Sequence, residues 1–445
     1  MIIGKFAAKN KDGIKSILRS LRHRNYKLFF SGQLISLVGT WMQSVAMSWL
    51  VYRLTNSALM LGLIAFLSQA PSFFVSPFAG VLIDRWDKHK VMVITQILAM
   101  VQAFILAVLT LAGSIQVWHL VLLSLTMGLI NSFDMPLRQA FVVEIIEDRK
   151  DLSNAIALNS SMVNGAKLFG PAIAGILVAI VGEGLCFLIN GISFIAVIIA
   201  LLCMKINKVI YKPDNKKIIL ELKEGFKYSF GFAPIREILI LLGVISLISI
   251  PFTVIIPVFA RDILKGGSDT LGFLMAATGV GALIAGIYLA SRKSVIGLGN
   301  VVVISTAIFG IALIIFSFSK NLWFSLAALL FVGFGMIVHI SSINTILQTI
   351  TDDNMRGRVM SYFTMAIIGI APFGSLIDGA MTDKIGAPNT VMLGGAVSII
   401  CSIVFFTRLP MLKKLVRPVY VKKGIIIEIA KGIQAATDLD TPSKS

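Results

Sequence analysis

Charge is what this chain has least of. Only 14% of its 445 residues are Asp, Glu, Lys or Arg, against about 25% in a soluble domain. That is too little polar surface to face water all round. Acidic residues are scarcest, 22 against 40 basic ones. The three cysteines, Cys186, Cys203 and Cys401, are scattered through apolar stretches; they form neither a metal-binding spacing nor a disulfide framework, and packing is their expected role. The sequence has no Gly-Lys-Ser phosphate loop, no metal cluster and no nucleophile beside a base. Nothing therefore supports an enzyme or a directly ATP-driven machine, and no catalytic residue, metal or cofactor is expected. The first 25 residues are basic and lack the apolar core of a cleavable signal peptide, so the first apolar run is expected to remain as a helix.

Apolar runs, by contrast, are abundant. Mean hydropathy is +0.89. Runs of about 20 residues, enough to cross a ~30 Å hydrocarbon core, recur from Leu28 to Phe406. Helices are expected near 28–53, 59–82, 91–112, 117–136, 156–181, 184–204, 236–260, 268–291, 296–319, 321–347, 358–382 and 388–408. The expected fold is an all-α membrane protein with twelve transmembrane helices, and an even number puts both termini on one side. That side carries 34 of the 40 Lys and Arg residues; Arg53, Arg261, Lys265, Lys320 and Lys384 lie opposite, and Lys167 falls inside a span. Such asymmetry makes the crowded side cytoplasmic. The basic charge is thus a topology signal, with lipid headgroups rather than nucleic acid as its anionic partner.

Five segments follow. Residues 1–25 form a cytoplasmic arm, with Ile14, Ile17, Leu18 and Leu21 on one helical face and Lys15, Arg19 and Arg22 on the other. Residues 26–204 and 236–408 are two six-helix halves, joined by a charged cytoplasmic linker at 205–235; residues 409–445 are a basic cytoplasmic tail. Within the linker, IILELKEGFKYS has helical periodicity. The halves resemble each other weakly. EDRKDLSN (147–154) precedes GPAIAG (170–175), and about 200 residues later TDDNMRGR (351–358) precedes APFGSLIDG (371–379). Parallel repeats of this kind occur in secondary transporters.

The strongest local motif is GVLIDRWDKHK (80–90), between the second and third spans. It resembles the loop signature of the major facilitator superfamily, roughly G-x-L-x-D-R-x-G-R-R. Gly80, Leu82, Asp84, Arg85 and Lys88 match; Asp87 replaces the usual glycine and His89 stands at the second basic position. The run 131–175 together with 24–63 is similar to the enterobactin-exporter-like branch, the transmembrane secretion effectors. The resemblance implies the major facilitator fold and a cytoplasmic charge network of Gly80, Asp84, Arg85 and Lys88, joined by Asp134 and Arg138. Those last two are spaced to pair with each other as well. GPAIAG resembles part of an antiporter motif of drug exporters, in which Pro171 kinks the fifth helix and Gly170 and Gly175 allow tight contact; Ala174 replaces one of its terminal glycines.

Lys167 is expected ~18 Å into the fifth helix, near the midplane, where an unpaired cation costs at least ~2.5–3.5 kcal/mol. It must face protein or water. With Asn164, Ser160 and Asn159 it makes one polar helix face. Either it meets an anionic group of the substrate or changes protonation during the cycle, or it pairs with Asp134 or a helix carbonyl, or snorkels along the cavity wall. The resemblance places the first, fourth, seventh and tenth spans around a central cavity, which makes Gln33, Gln43, Asn131, His339 and Asn344 candidate lining residues beside Asn164 and Lys167. Interhelical hydrogen bonding is the alternative for each. No Asp or Glu falls near the centre of a span, so ion coupling would run through Asp134, Asp378, Lys167, His339 or a titratable substrate.

The resulting expectation is a monomeric, multi-pass exporter in a bacterial cytoplasmic (inner) membrane. It would move a small amphipathic solute such as a siderophore, drug or metabolite by alternating access, driven by protons. An uptake transporter, a lipid flippase and a non-transporting membrane sensor or assembly factor are the alternatives.

Overall fold

A bilayer leaves a backbone no water to bond with, so spanning segments satisfy their own amides as helices. The computed structural model describes residues 19–83, 86–146, 148–205, 218–292, 294–353 and 355–425, and twelve of its helices are long and apolar enough to cross a membrane. The first six are Arg24–Thr55, Ala58–Ile83, Lys88–Leu111, Val117–Ile145, Leu152–Val181 and Glu183–Leu202. A linker helix, Ile218–Gly231, follows where the sequence has helical periodicity. The second six are Ala233–Ile263, Ser268–Ser291, Leu298–Ser317, Leu322–Ile350, Arg356–Ile385 and Ala387–Lys422. The ends near residues 86, 148, 205, 292, 352 and 423 make one face, here called the linker face. The turns near residues 56, 114, 182, 266, 320 and 386 make the far face.

Three departures from the sequence expectation have visible causes. The fourth helix continues nine residues past 136, to Ile145, carrying Pro136 inside it. The seventh span is not one helix: Pro251 and Pro257 lack amide hydrogens, and the chain passes through a 3-10 stretch at Ile250–Ile255 and a wider turn at Phe259–Ile263. The twelfth helix, expected to end at 408, runs to Lys422, so the first part of the basic tail continues it. Of the amphipathic arm, residues 19–25 are described: the turn Arg19–Arg22 and the start of the first span; residues 1–18 and the tail beyond 425 lie outside the described residues.

Because lipid is as apolar as leucine, small residues and buried polar pairs hold such helices together. Gly281 of the eighth span lies against the backbone of Leu330 and Phe334 in the tenth, and Gly333 lies against Thr278 in return. A Cβ at Gly281 would overlap the Leu330 carbonyl oxygen. Gly281→Ala is therefore expected to destabilise the second half by about 1–3 kcal/mol, seen as a lower thermal midpoint of the detergent-solubilised chain. An unchanged midpoint would contradict this packing. In the first half, Gln43 donates to Gln102 (3.0 Å) and accepts from Asn190 (2.8 Å), tying three spans together. Trp118 and Trp323, at far-face helix starts, are exposed where an aromatic belt belongs.

Candidate functional site: a cleft closed at one end

Contacts between the two halves gather at the far face. The second span meets the eleventh. Asp383 of the eleventh accepts hydrogen bonds from the Ala58 and Leu59 amides (2.7 and 3.1 Å) and from the Ser57 hydroxyl (2.7 Å). A carboxylate is thus supplied across the interface to the open N-terminus of the second helix, where backbone donors and the helix dipole both favour it. Below this cap, Gly379 abuts the Ala58 carbonyl and Gly62 abuts that of Ser375. Phe66 and Phe73 meet Phe373 edge-on at 5.3 and 6.2 Å.

The fifth span meets the eighth in the same zone. A Cβ at Gly175 would lie 2.5 Å from the Gly272 Cα, and one at Gly272 would lie 3.0 Å from the Pro171 carbonyl oxygen. Two glycines therefore let the backbones touch. The fifth helix runs unbroken through Pro171; what the GPAIAG segment provides is this crossing. The first and seventh spans add a third contact. The Tyr52 hydroxyl donates to Asp262, and Arg261 donates to Asn56 (2.7 Å) and to the Tyr52 carbonyl (3.4 Å).

Lys167 sits one helical turn toward the linker face from Pro171, about 6 Å along the axis. Its side chain is exposed, and its ammonium lies 5.5 Å from the Trp41 ring centroid, a cation–π distance. It stands midway along a 30-residue helix, beside the first span. Its proposed pairing with Asp134 does not occur. Asp134 instead receives hydrogen bonds from Gln96 (2.6 Å) and Thr95 (3.3 Å) and forms an ion pair with Arg138.

Other candidates divide. Asn131 is half-buried, and no described residue hydrogen-bonds its side chain. Asn344, also half-buried, accepts from Gln348. Asn344 and Gln348, with Ser341, Thr345, Thr349 and Arg356, line a hollow of about 570 Å³ at the linker face; Asn131 does not. Gln43 is buried in the interhelical bonds already described, not in a cavity wall. Gln33 is fully buried too, its amide without a hydrogen-bond partner. His339 is enclosed between the tenth and ninth spans, its Nδ1 2.6 Å from the Thr306 hydroxyl. These three do not face an opening. The side chain of Asn164 and the loop residues Asp84 and Arg85 lie outside the described residues, and Gly80 falls in the last turns of the second span. Lys88 is buried beside Glu144 at 3.6 Å.

Sequence reasoning missed Asp262 and Asp383, which read as ordinary loop-end acids, and it missed Asp151. That residue lies in the turn before the fifth span, almost fully buried. It holds Arg19 (2.5 Å), Arg22 (2.7 Å) and His23 (2.9 Å) of the N-terminal turn. Burial pushes its carboxyl up, but the His23 hydrogen bond and the guanidinium charges outweigh burial and hold it below the usual carboxylate range.

A helical bundle of two halves that meet at one end has the architecture of a secondary transporter, and comparison with known proteins decides the family. The sequence model of the transmembrane secretion effectors matches residues 15–419. The chain belongs to that family. It is 27% identical to the staphyloferrin A transporter of Staphylococcus aureus over 85% of this chain and 95% of that protein. Macrolide efflux protein A of Streptococcus pyogenes is 23% identical over 86% and 96%. Among solved structures, the nucleoside transporter NupG superposes with a TM-score of 0.68 at 12% identity, covering 87% of this chain and 99% of that one. This transmembrane secretion effector is thus a multi-pass membrane transporter of the major facilitator superfamily, and not an enzyme.

Proposed function

We propose that the protein is a proton-driven exporter of small amphipathic solutes bearing an anionic group. The observation that carries this reading is the placement of Lys167: an exposed cation midway along the fifth helix, on its polar side, one turn from the segment that crosses the eighth span. A cation there gains its desolvation cost back only by meeting an anion or water. The charge asymmetry supports assigning the linker face to the cytoplasm, so the cleft is open to the cell interior and the far face is the outer one. Relatives named for efflux support the outward direction. Alternating access would close the linker face around solute and part the outer contacts, each half moving as a body, within a single chain. Protons entering down their gradient would reset the carrier.

The test is uptake into energised inside-out vesicles of carboxyfluorescein as an anionic probe and ethidium as a cationic one. Accumulation of carboxyfluorescein that collapses with a protonophore is expected. The reading is overturned if neither probe accumulates while a control antiporter in the same vesicles works.

A further inference from the structure

Asp378 lies in the eleventh span near the outer end and is almost fully buried. Among the described residues no side chain or amide gives its carboxyl a hydrogen bond or an ion pair. One turn further on, the Thr382 hydroxyl is also buried and unpartnered. Both lie in a wedge whose walls can be named. Gly374 abuts Leu247 and Pro251 of the seventh span, and Gly379 abuts Ala58 of the second. Helical geometry puts Asp378 on the arc between them, about 40° from Gly374 and about 100° from Gly379. One wall of the wedge belongs to its own half, and the other to the opposite half. Parting the halves at the outer face removes the second wall and admits water to the carboxyl.

Few other titratable groups bear on that wedge. The second span has none. Neither the 3-10 stretch Ile250–Ile255 nor the segment Met365–Gly369 carries one. In the seventh span's first helix, Arg236 and Glu237 lie at the linker end and pair with each other; the twelfth span has none before Cys401. At the outer rim stand Arg261, Asp262, Asp383 and Lys384. An ionised carboxylate sealed without a partner is far costlier than a neutral one.

Resting on the proton-driven reading above, we propose that Asp378 is the proton-carrying site that licenses closure of the outer face. With the outer face open, the hydrated carboxylate takes a proton from outside water; the neutral carboxyl is then sealed between the second and seventh spans. The sign separates this group from its neighbours. Protonating Asp383 or Asp262 removes acceptors from outer contacts and favours opening, whereas protonating Asp378 favours closing.

The test uses full-length protein in lipid nanodiscs, without solute. Spin labels across the outer face give the closed-to-open ratio, and infrared spectroscopy gives the carbonyl stretch of a protonated carboxyl. In the wild-type background the ratio is expected to rise by up to about tenfold per pH unit of acidification, together with a carbonyl band. In Asp378→Asn the band and the acid-driven closing disappear, and the closed form prevails from neutral pH upward. Acid-driven closing and a band that survive in Asp378→Asn, or acid that opens the wild type, overturn the proposal. Should Asp378→Asn fail to give a monodisperse protein, Asp378→Glu serves instead: an unshifted band and midpoint would overturn it equally. If vesicle accumulation withstands protonophore while the band assignment holds, the proton-driven reading fails and Asp378 remains a proton site.

Discussion

Gly175→Val is expected to cut net transport at least about fivefold while leaving a folded, membrane-inserted protein. Even a single Cβ at this position would lie 2.5 Å from the Gly272 Cα and 2.8 Å from the Ser268 carbonyl oxygen. These are backbone atoms of the opposing helix, so no side chain can swing aside. Overpacking costs about 1–3 kcal/mol, and here it applies only where the fifth and eighth helices touch. A penalty on one state of a two-state carrier moves its population by roughly fivefold to more than a hundredfold. The carrier is thereby shifted toward outer-open, and probe accumulation should fall at least about fivefold. A cysteine reagent applied from the outside should meanwhile label the outer cleft more readily. Wild-type transport by Gly175→Val would mean that the Gly175–Gly272 crossing is not part of outer closure.

Lys167→Ala is the second large effect. A hydrogen bond to a charged group contributes about 1.5–3 kcal/mol, or roughly 10- to 150-fold in affinity. Carboxyfluorescein transport should lose that factor, appearing mainly as a raised KM. Ethidium transport, which gains nothing from a cation, should be unchanged or improved. Lys167→Arg retains the charge and the proximity to Trp41, and is expected to keep a substantial part of the anion flux. If alanine leaves anion and cation transport equally intact, Lys167 has a packing role against Trp41 alone.

The residues explain how much of this was readable in advance. The spans are legible because bilayer thickness sets a length, and runs such as 268–291 satisfy it with no reference to partners. Which face of each helix looks inward is another matter. In water an amphipathic stripe marks the buried face, but in lipid the outward face is apolar too, so the pattern fades. Gln43 and His339 show the consequence. Their polarity is plain in the sequence, yet whether they line a cleft or bond a neighbouring helix depends on rotation about the helix axis. The structure turns Gln43 toward Gln102 and Asn190, and His339 toward Thr306. Gly175 was visible as a contact residue, whereas its partner Gly272 stands in an unremarkable stretch and is chosen by the crossing angle. Asp383 was hidden for a similar reason: it caps a helix more than 300 residues away in sequence. The broken seventh span was half legible, through Pro251 and Pro257; the wider turn after them was not. Lys167 stood out because charge in an apolar run is rare, and the structure adds its neighbour, the Trp41 ring.

The central claim is that the outer contacts make and break as the carrier works. It is tested most directly by the distance between spin labels at Leu59 and Ile385, two exposed residues flanking the contact of the second and eleventh spans, with Cys186, Cys203 and Cys401 replaced. Measured by electron–electron double resonance in nanodiscs, the distribution should contain a short component matching the closed face and a longer one. Their ratio should move with pH, and Gly175→Val should convert the sample to the longer component. A single short distance, unmoved by pH or by Gly175→Val, would contradict alternating access through this face.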